Sequence, residues 1–234
     1  MTIFDRFIRY EWAEYALETT LQNQSSKKLK TWLEDQGLGS ESARRTSNVL
    51  CNLWFESEDQ SVSLRQKALN LCSSIEENER VVLHWGMALV RFPLFCQTAG
   101  VIGRIVRLQG EFKKAEIIYR VLEKYSNQTT VKRAVERVIQ TMLDWEVVHI
   151  KGNNTFFPSL PRRIQSPQLA EWFFQALLLA NPEKYWLVED ILRSNEGFPF
   201  ELSSQRQVLY TSYTLSIQRD SFGEEIVGLR AEVL

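Results

Sequence analysis

FKKAEIIYRVLEKY (112–125), SNQ (126–128), TTVKRAVERVIQTMLDW (129–145) and EVVHIKGNNTFFPS (146–159) make up the stretch on which the fold turns. The pattern predicts a helix, a three-residue turn, a second helix, a short strand, a Lys-Gly-Asn-Asn turn and a return strand. In the second helix Val131, Val135, Val138 and Met142 recur at helical spacing, and Ala134 and Ile139 widen the stripe. At about 100° per residue the opposite face carries Thr129, Arg133, Glu136, Arg137 and Gln140. Gly152, Asn153 and Asn154 tolerate positive φ, which a hairpin turn needs, and Lys151 stands beside them. This is the element order of a winged helix-turn-helix. Arg and Gln can hydrogen-bond base edges, and a helix fits the major groove of B-DNA.

Charge is distributed unevenly. Between residues 104 and 163 there are 12 Lys/Arg and 6 Asp/Glu, so this segment carries +6 in a chain of net charge −1, and the remainder sums to −7. A basic module inside an acidic protein is the electrostatic footprint of a nucleic-acid binder. Winged helices also dock proteins, so fold alone does not assign the function. The residues expected to meet DNA are Lys113, Lys114, Thr129, Thr130, Lys132, Arg133, Arg137, Gln140, Lys151, Asn153, Arg162 and Arg163. Most suit phosphate, which carries no sequence information directly, so the expected preference for sequence is weak.

The remaining composition describes an ordinary folded chain. With 234 residues, 44% hydrophobic and 24% charged, it is long enough for a substantial core. Ten glycines and six prolines favour helix as the dominant element. The start, MTIFDRFIRYEWAEY, lacks an uninterrupted apolar run and is not expected to act as a secretory signal. The apolar region 81–106 contains His84, Arg91, Pro93, Gln97 and Arg104, and predicts buried helices, with no membrane association. Cys51, Cys72 and Cys96 form no CxxC pair, which predicts reduced thiols, no metal site and a cytoplasmic location. His84, on an apolar helix, and His149, on a wing strand, are expected to be packed or half-exposed residues. No phosphate loop, nucleophile elbow or metal-spaced carboxylate cluster stands out, so no enzyme activity, catalytic residue or cofactor is expected.

In chain order, residues 3–22 predict an amphipathic helix, and 28–36 a second one ending at Gly37. Residues 41–55 predict a third helix with Ser40 as its N-cap. The 28–55 pair admits two readings: a helical hairpin with a solvated basic start, or another DNA-reading unit using Arg44 and Arg45. Residues 56–60 predict an acidic loop, and 61–75 and 78–91 helices. Pro93 and Gly110 bracket the next helix, and residues 160–167 predict a linker. Helices at 168–180 and 182–193, the latter with Asn181 as N-cap, and another at 203–210 precede a terminal hairpin. The fold class is therefore mainly α with short β-hairpins. It divides into an N-terminal helical region (1–92), a winged helix-turn-helix (93–160) and a C-terminal helical region ending in a hairpin (166–234).

LHWGMALVRFPLF (83–95), then KKAEIIYRVLEKY (113–125) to TMLDWEVV (141–148), then a helical part ending in a hairpin, is an order that resembles a known family. The chain is similar, over roughly 15–230, to the small helical A component of bacteriophage-exclusion (BREX) defence systems, a family also labelled an inner-membrane protein. The start of the third helix, Ser42 to Arg45, resembles that family's N-terminal unit. The resemblance implies binding of double-stranded DNA as an accessory among other subunits of a phage-defence complex, without catalysis. The alternative is a helical adaptor whose winged module docks partner proteins.

Overall fold

The computed structural model describes residues 3–55, 61–125, 128–152 and 154–230. The acidic loop expected at 56–60, Ser126 and Asn127 of the turn, and Asn153 of the wing lie outside the described residues. The fold is mainly helical with a few short strands in small sheets. The N-terminal part comprises α1 (Tyr10–Leu21), α2 (Lys27–Asp35), α3 (Ser40–Trp54), α4 (Ser61–Leu71) and α5 (Arg80–Arg91). The central part runs α6 (Pro93–Gln109), β1 (Phe112–Lys113), α7 (Lys114–Leu122), α8 (Gln128–Asp144), β2 (Val148–Lys151) and β3 (Thr155–Pro158). After β4 (Arg162–Arg163) come α9 (Pro167–Ala180), α10 (Val188–Leu192), β5 (Phe200–Glu201) and α11 (Arg206–Thr211). The terminal hairpin is β6 (Leu215–Arg219) with β7 (Glu225–Leu229).

Local chemistry sets several of these boundaries. Pro93 occupies the first turn of α6, where a missing N–H costs nothing, and Gly110 closes it at φ 78° with its N–H bonded to the Val106 carbonyl. Ser166 caps α9 by accepting from the Leu169 N–H at 3.2 Å, with Pro167 next in line. Gly37, at φ 88°, follows α2 as a helix-stop glycine.

Five expectations need correction. Residues 4–9 are not helical, and α1 begins at Tyr10. Phe4 and Ile8 are buried because this irregular segment packs onto the core, the Phe4 ring meeting Phe92 and Phe95. Ser40 is the first residue of α3, with Gly39 at the cap. The helix expected at 61–75 ends at Leu71. Asn181 ends α9 rather than starting a helix, and only Val188–Leu192 of the segment expected at 182–193 is helical. Here the hairpin competes for the backbone: the Trp186 carbonyl accepts from Val227 N–H, and Leu187 bridges to Ile226. The predicted linker is also tied down. Arg162 and Arg163 pair in parallel with Phe200 and Glu201, and Ile164 is buried.

Buried residues from Phe4 to Val227 form one connected cluster, with Trp54, Trp85, Trp145, Trp172 and Trp186 among its largest members. Four of those indole N–H groups have acceptors: His84 Nδ1, and the carbonyls of Glu196, Ile8 and Leu64. His84 is wholly buried. An indole only donates, so Nδ1 must accept and the ring proton sits on Nε2, directed at Glu14 Oε1 2.6 Å away. Arg80 Nη1 donates to the other Glu14 oxygen at 2.9 Å. Burial alone would raise the Glu14 carboxyl, but the hydrogen bonds it accepts from His84 and Arg80, together with the Arg80 charge, hold it below its ordinary value. The same burial, with Glu14 beside it, pushes the Tyr10 hydroxyl up. This polar knot joins α1, α3 and α5.

No single helix among the described residues is long and apolar enough to cross a membrane. The segments 77–91 and 93–109 qualify only as a pair, bent by 115° at Phe92–Pro93, and Val81–Leu89 lies buried in the core.

Candidate nucleic-acid interface

Helices α6, α7 and α8 pack together, and their strands form a three-stranded sheet in the order β1-β3-β2. Both pairings are antiparallel. That connectivity is a winged helix. One strand of it escaped the sequence reading. Phe112 and Lys113, expected to be helical, pair with Phe156 and Thr155. The Phe112 and Phe156 rings stack at 5.1 Å and close the sheet onto the helices.

The stripe on α8 behaves as its spacing implies. Val131, Ala134, Val135, Val138, Ile139 and Met142 are all buried. Thr129, Thr130, Lys132, Arg133, Arg137 and Gln140 are exposed, with Glu136 half-exposed among them. Arg137 Nη1 donates to Gln140 Oε1 at 2.7 Å, which holds two potential base-reading side chains side by side. The C-terminal end of this face is occupied. Tyr10 N–H bonds Asp144 Oδ1 at 2.6 Å, Ile8 N–H bonds Thr141 Oγ1 at 3.0 Å, and Trp145 Nε1 bonds the Ile8 carbonyl. The accessible part is therefore 129–140, which includes the N-terminal end that contacts bases in helix-turn-helix complexes.

The wing turn has Gly152 at φ 63° and Asn154 at φ 58°, a backbone that glycine and asparagine adopt at little cost. Lys151 ends β2 and lies opposite Thr155, which in turn lies opposite Lys113. Two ammonium groups thus flank one strand, and Lys114 opens α7 beside them; all three lysines are exposed. No sequence signal announces that row, because a two-residue strand has no period to detect.

The other expected contacts sit elsewhere. Arg162 is half-buried, and its Nη2 donates to the carbonyls of Trp145 and Glu146, both at 3.3 Å, just past the end of α8. Arg163 is exposed on β4. On α3, Arg44 makes a two-pronged bond to Glu41, and Arg45 faces Asp5 at 3.7 Å. Exposed pairs of this kind are worth under about 1 kcal/mol and do not lock the arginines. They do place a carboxylate beside each of these arginines, unlike Lys132, Arg133 and Arg137, which stand against the single Glu136.

Among the described residues no group of His, Cys, Asp and Glu is arranged to hold a metal ion. A cavity of about 850 Å³ lies between 76–82, the end of α8 and β4. Glu76, Glu77, Glu79, Asp144 and Glu146 line it against Arg162 and Arg163, a wall unsuited to an anionic polymer. In comparisons with known proteins, no family model, curated protein or solved structure matches this chain.

Proposed function

We propose that this chain binds double-stranded DNA, without catalysing a reaction, through the 129–140 face of α8 and the lysines of the wing. The observation that carries the reading is the exposed, net-positive face of α8 set beside a wing whose strands align Lys113 and Lys151. Phosphate contacts dominate, and sequence preference is weak, because lysines outnumber the side chains suited to base edges. A cytoplasmic role beside other subunits of a phage-defence complex rests on the resemblance to the bacteriophage-exclusion A component. A second reading is a helical adaptor whose winged module docks partner subunits of a larger complex. The two readings are compatible, since an accessory protein needs both a ligand and a partner.

A salt titration of binding to a labelled duplex tests the proposal. Each phosphate neutralised contributes about −0.9 to the slope of log affinity against log salt. Engagement of Lys113, Lys114, Lys132, Arg133, Arg137 and Lys151 therefore predicts a slope near −5. Replacing Arg133 and Arg137 by Ala should flatten that slope by about 2, with the melting temperature unchanged. Unaltered affinity in the double variant moves the interface off α8, and an affinity indifferent to salt removes DNA as the ligand. Deleting the gene from its host should raise phage plating; unchanged plating removes the defence role.

A further inference from the structure

Strand alternation divides the wing into two faces. Phe112, Val148 and Phe156 turn inward and are buried. Lys113, His149, Lys151, Thr155 and Phe157 share the outer face, where both lysines and His149 are exposed and Phe157 is half-exposed. An antiparallel sheet face turned to water is ordinarily polar. Here His149 lies opposite Phe157, and their rings stack at 5.7 Å and 20° between planes. Two residues along the strands, about 7 Å away, runs the row Lys113–Thr155–Lys151.

Flat rings beside ammonium groups offer a nucleotide two complementary contacts, a π surface for its base and a cation for its phosphate. An intact duplex can use only the second, because its bases already stack on one another. We infer that the outer face of the wing is a platform for an unpaired nucleobase, so that the bound nucleic acid is a duplex interrupted by unpaired nucleotides. The inference rests on the DNA-binding reading and narrows its ligand. In this arrangement α8 and the wing lysines hold the paired flank, while Phe157 and His149 take the base that the interruption releases. An unpaired base costs little to extrude, which makes the interruption the cheapest place for such stacking.

The experiment compares a blunt duplex with the same duplex carrying a central bulge of unpaired nucleotides, one of them the fluorescent analogue 2-aminopurine. The full-length chain should bind the bulged duplex about fivefold tighter or more, the lower end of what stacking one base on an aromatic ring contributes. The fluorescent base should be quenched on binding. The double variant His149→Ala/Phe157→Ala should bind both duplexes with the wild-type affinity for the blunt one and leave the fluorescence unquenched. Phe157→Trp, which keeps a ring, should retain the preference. Equal wild-type affinity for the two duplexes overturns the inference and leaves the DNA-binding reading standing. A preference that survives loss of both rings also overturns it, because easier bending at the bulge would then be its cause. Binding to neither duplex overturns the DNA-binding reading as well.

Discussion

Two glycines three residues apart on α6 should respond to alanine in opposite directions. At Gly103 an added Cβ would lie 2.1 Å from the Asn195 carbonyl oxygen, 2.9 Å from its carbon and 3.0 Å from Phe198 Cβ. Ordinary contact begins near 3.4 Å, and the obstacle is backbone, so the 195–198 turn must shift by over an ångström. One extra methyl group in a packed interior costs about 1–3 kcal/mol, and a fixed obstacle puts this site at the upper end. Against that, alanine is favoured over glycine in a helix by about 1 kcal/mol. The net loss for Gly103→Ala is then about 2 kcal/mol, a fall of about 4–8 °C in melting temperature for a chain of this size. At Gly100 the nearest atom to the added Cβ is Glu196 Cγ at 3.4 Å, a flexible side chain at ordinary distance. Gly100→Ala therefore keeps the helix gain and should raise the melting temperature by about 2–4 °C. Thermal unfolding followed by circular dichroism measures both. If Gly103→Ala proves as stable as Gly100→Ala, the close approach of α6 to the 195–198 turn is wrong, and with it the docking of β5 beside β4.

The polar knot around Glu14 makes stability depend on acid. Its carboxyl is held below its ordinary value of 4.5 in the folded chain, so the stabilisation is present above that value and disappears as pH falls through the lower folded value. Glu14→Gln removes this term, so the stability gap between the variant and wild type, measured by urea unfolding, should stay constant well above pH 4.5 and shrink as pH falls below that value; a gap that stays constant through the acid range would show that Glu14 is not ionised in the knot. Arg162→Ala should lower stability by about 1 kcal/mol, because its guanidinium satisfies two carbonyls past the end of α8, whereas Arg163→Ala should leave the melting temperature alone. Equal melting temperatures for these two variants would contradict the role given to Arg162.

The sequence was most readable where one physical signal acted alone. Pro93 and Gly110 fixed both ends of α6, and the Val131–Met142 stripe fixed which face of α8 turns inward. Its failures fall where tertiary contacts decide. Phe4 and Ile8 are spaced like one face of a helix, yet they are buried from an irregular segment lying against α6 and α8. Asn181-Pro182 carries helix-start chemistry, but the terminal hairpin draws the following backbone into its own bonding. Two prolines and two arginines suggested a linker at 160–167, and only β5, some 40 residues later, reveals it as a paired strand. In the candidate interface the individual cations were legible. Their arrangement across β1, β3 and β2 was not, since strand pairing is non-local.

The position of α8 bears on how it would bind. Its carbonyl end, the negative end of the helix dipole, is closed by Arg162 and by the segment around Ile8 and Tyr10. Its first residues, at the positive end, carry the exposed threonines and cations. A helix fixed at one end by these donors offers its other end already ordered. Association with DNA, as proposed, would then spend little on ordering that helix, and its affinity would follow the surface charges rather than a folding step. An acidic cluster, Asp144, Glu146 and Glu77, also lies at the C-terminal end of the face. Such a cluster would repel a phosphate backbone that overran α8. It would hold the duplex to the 129–140 face and to the wing.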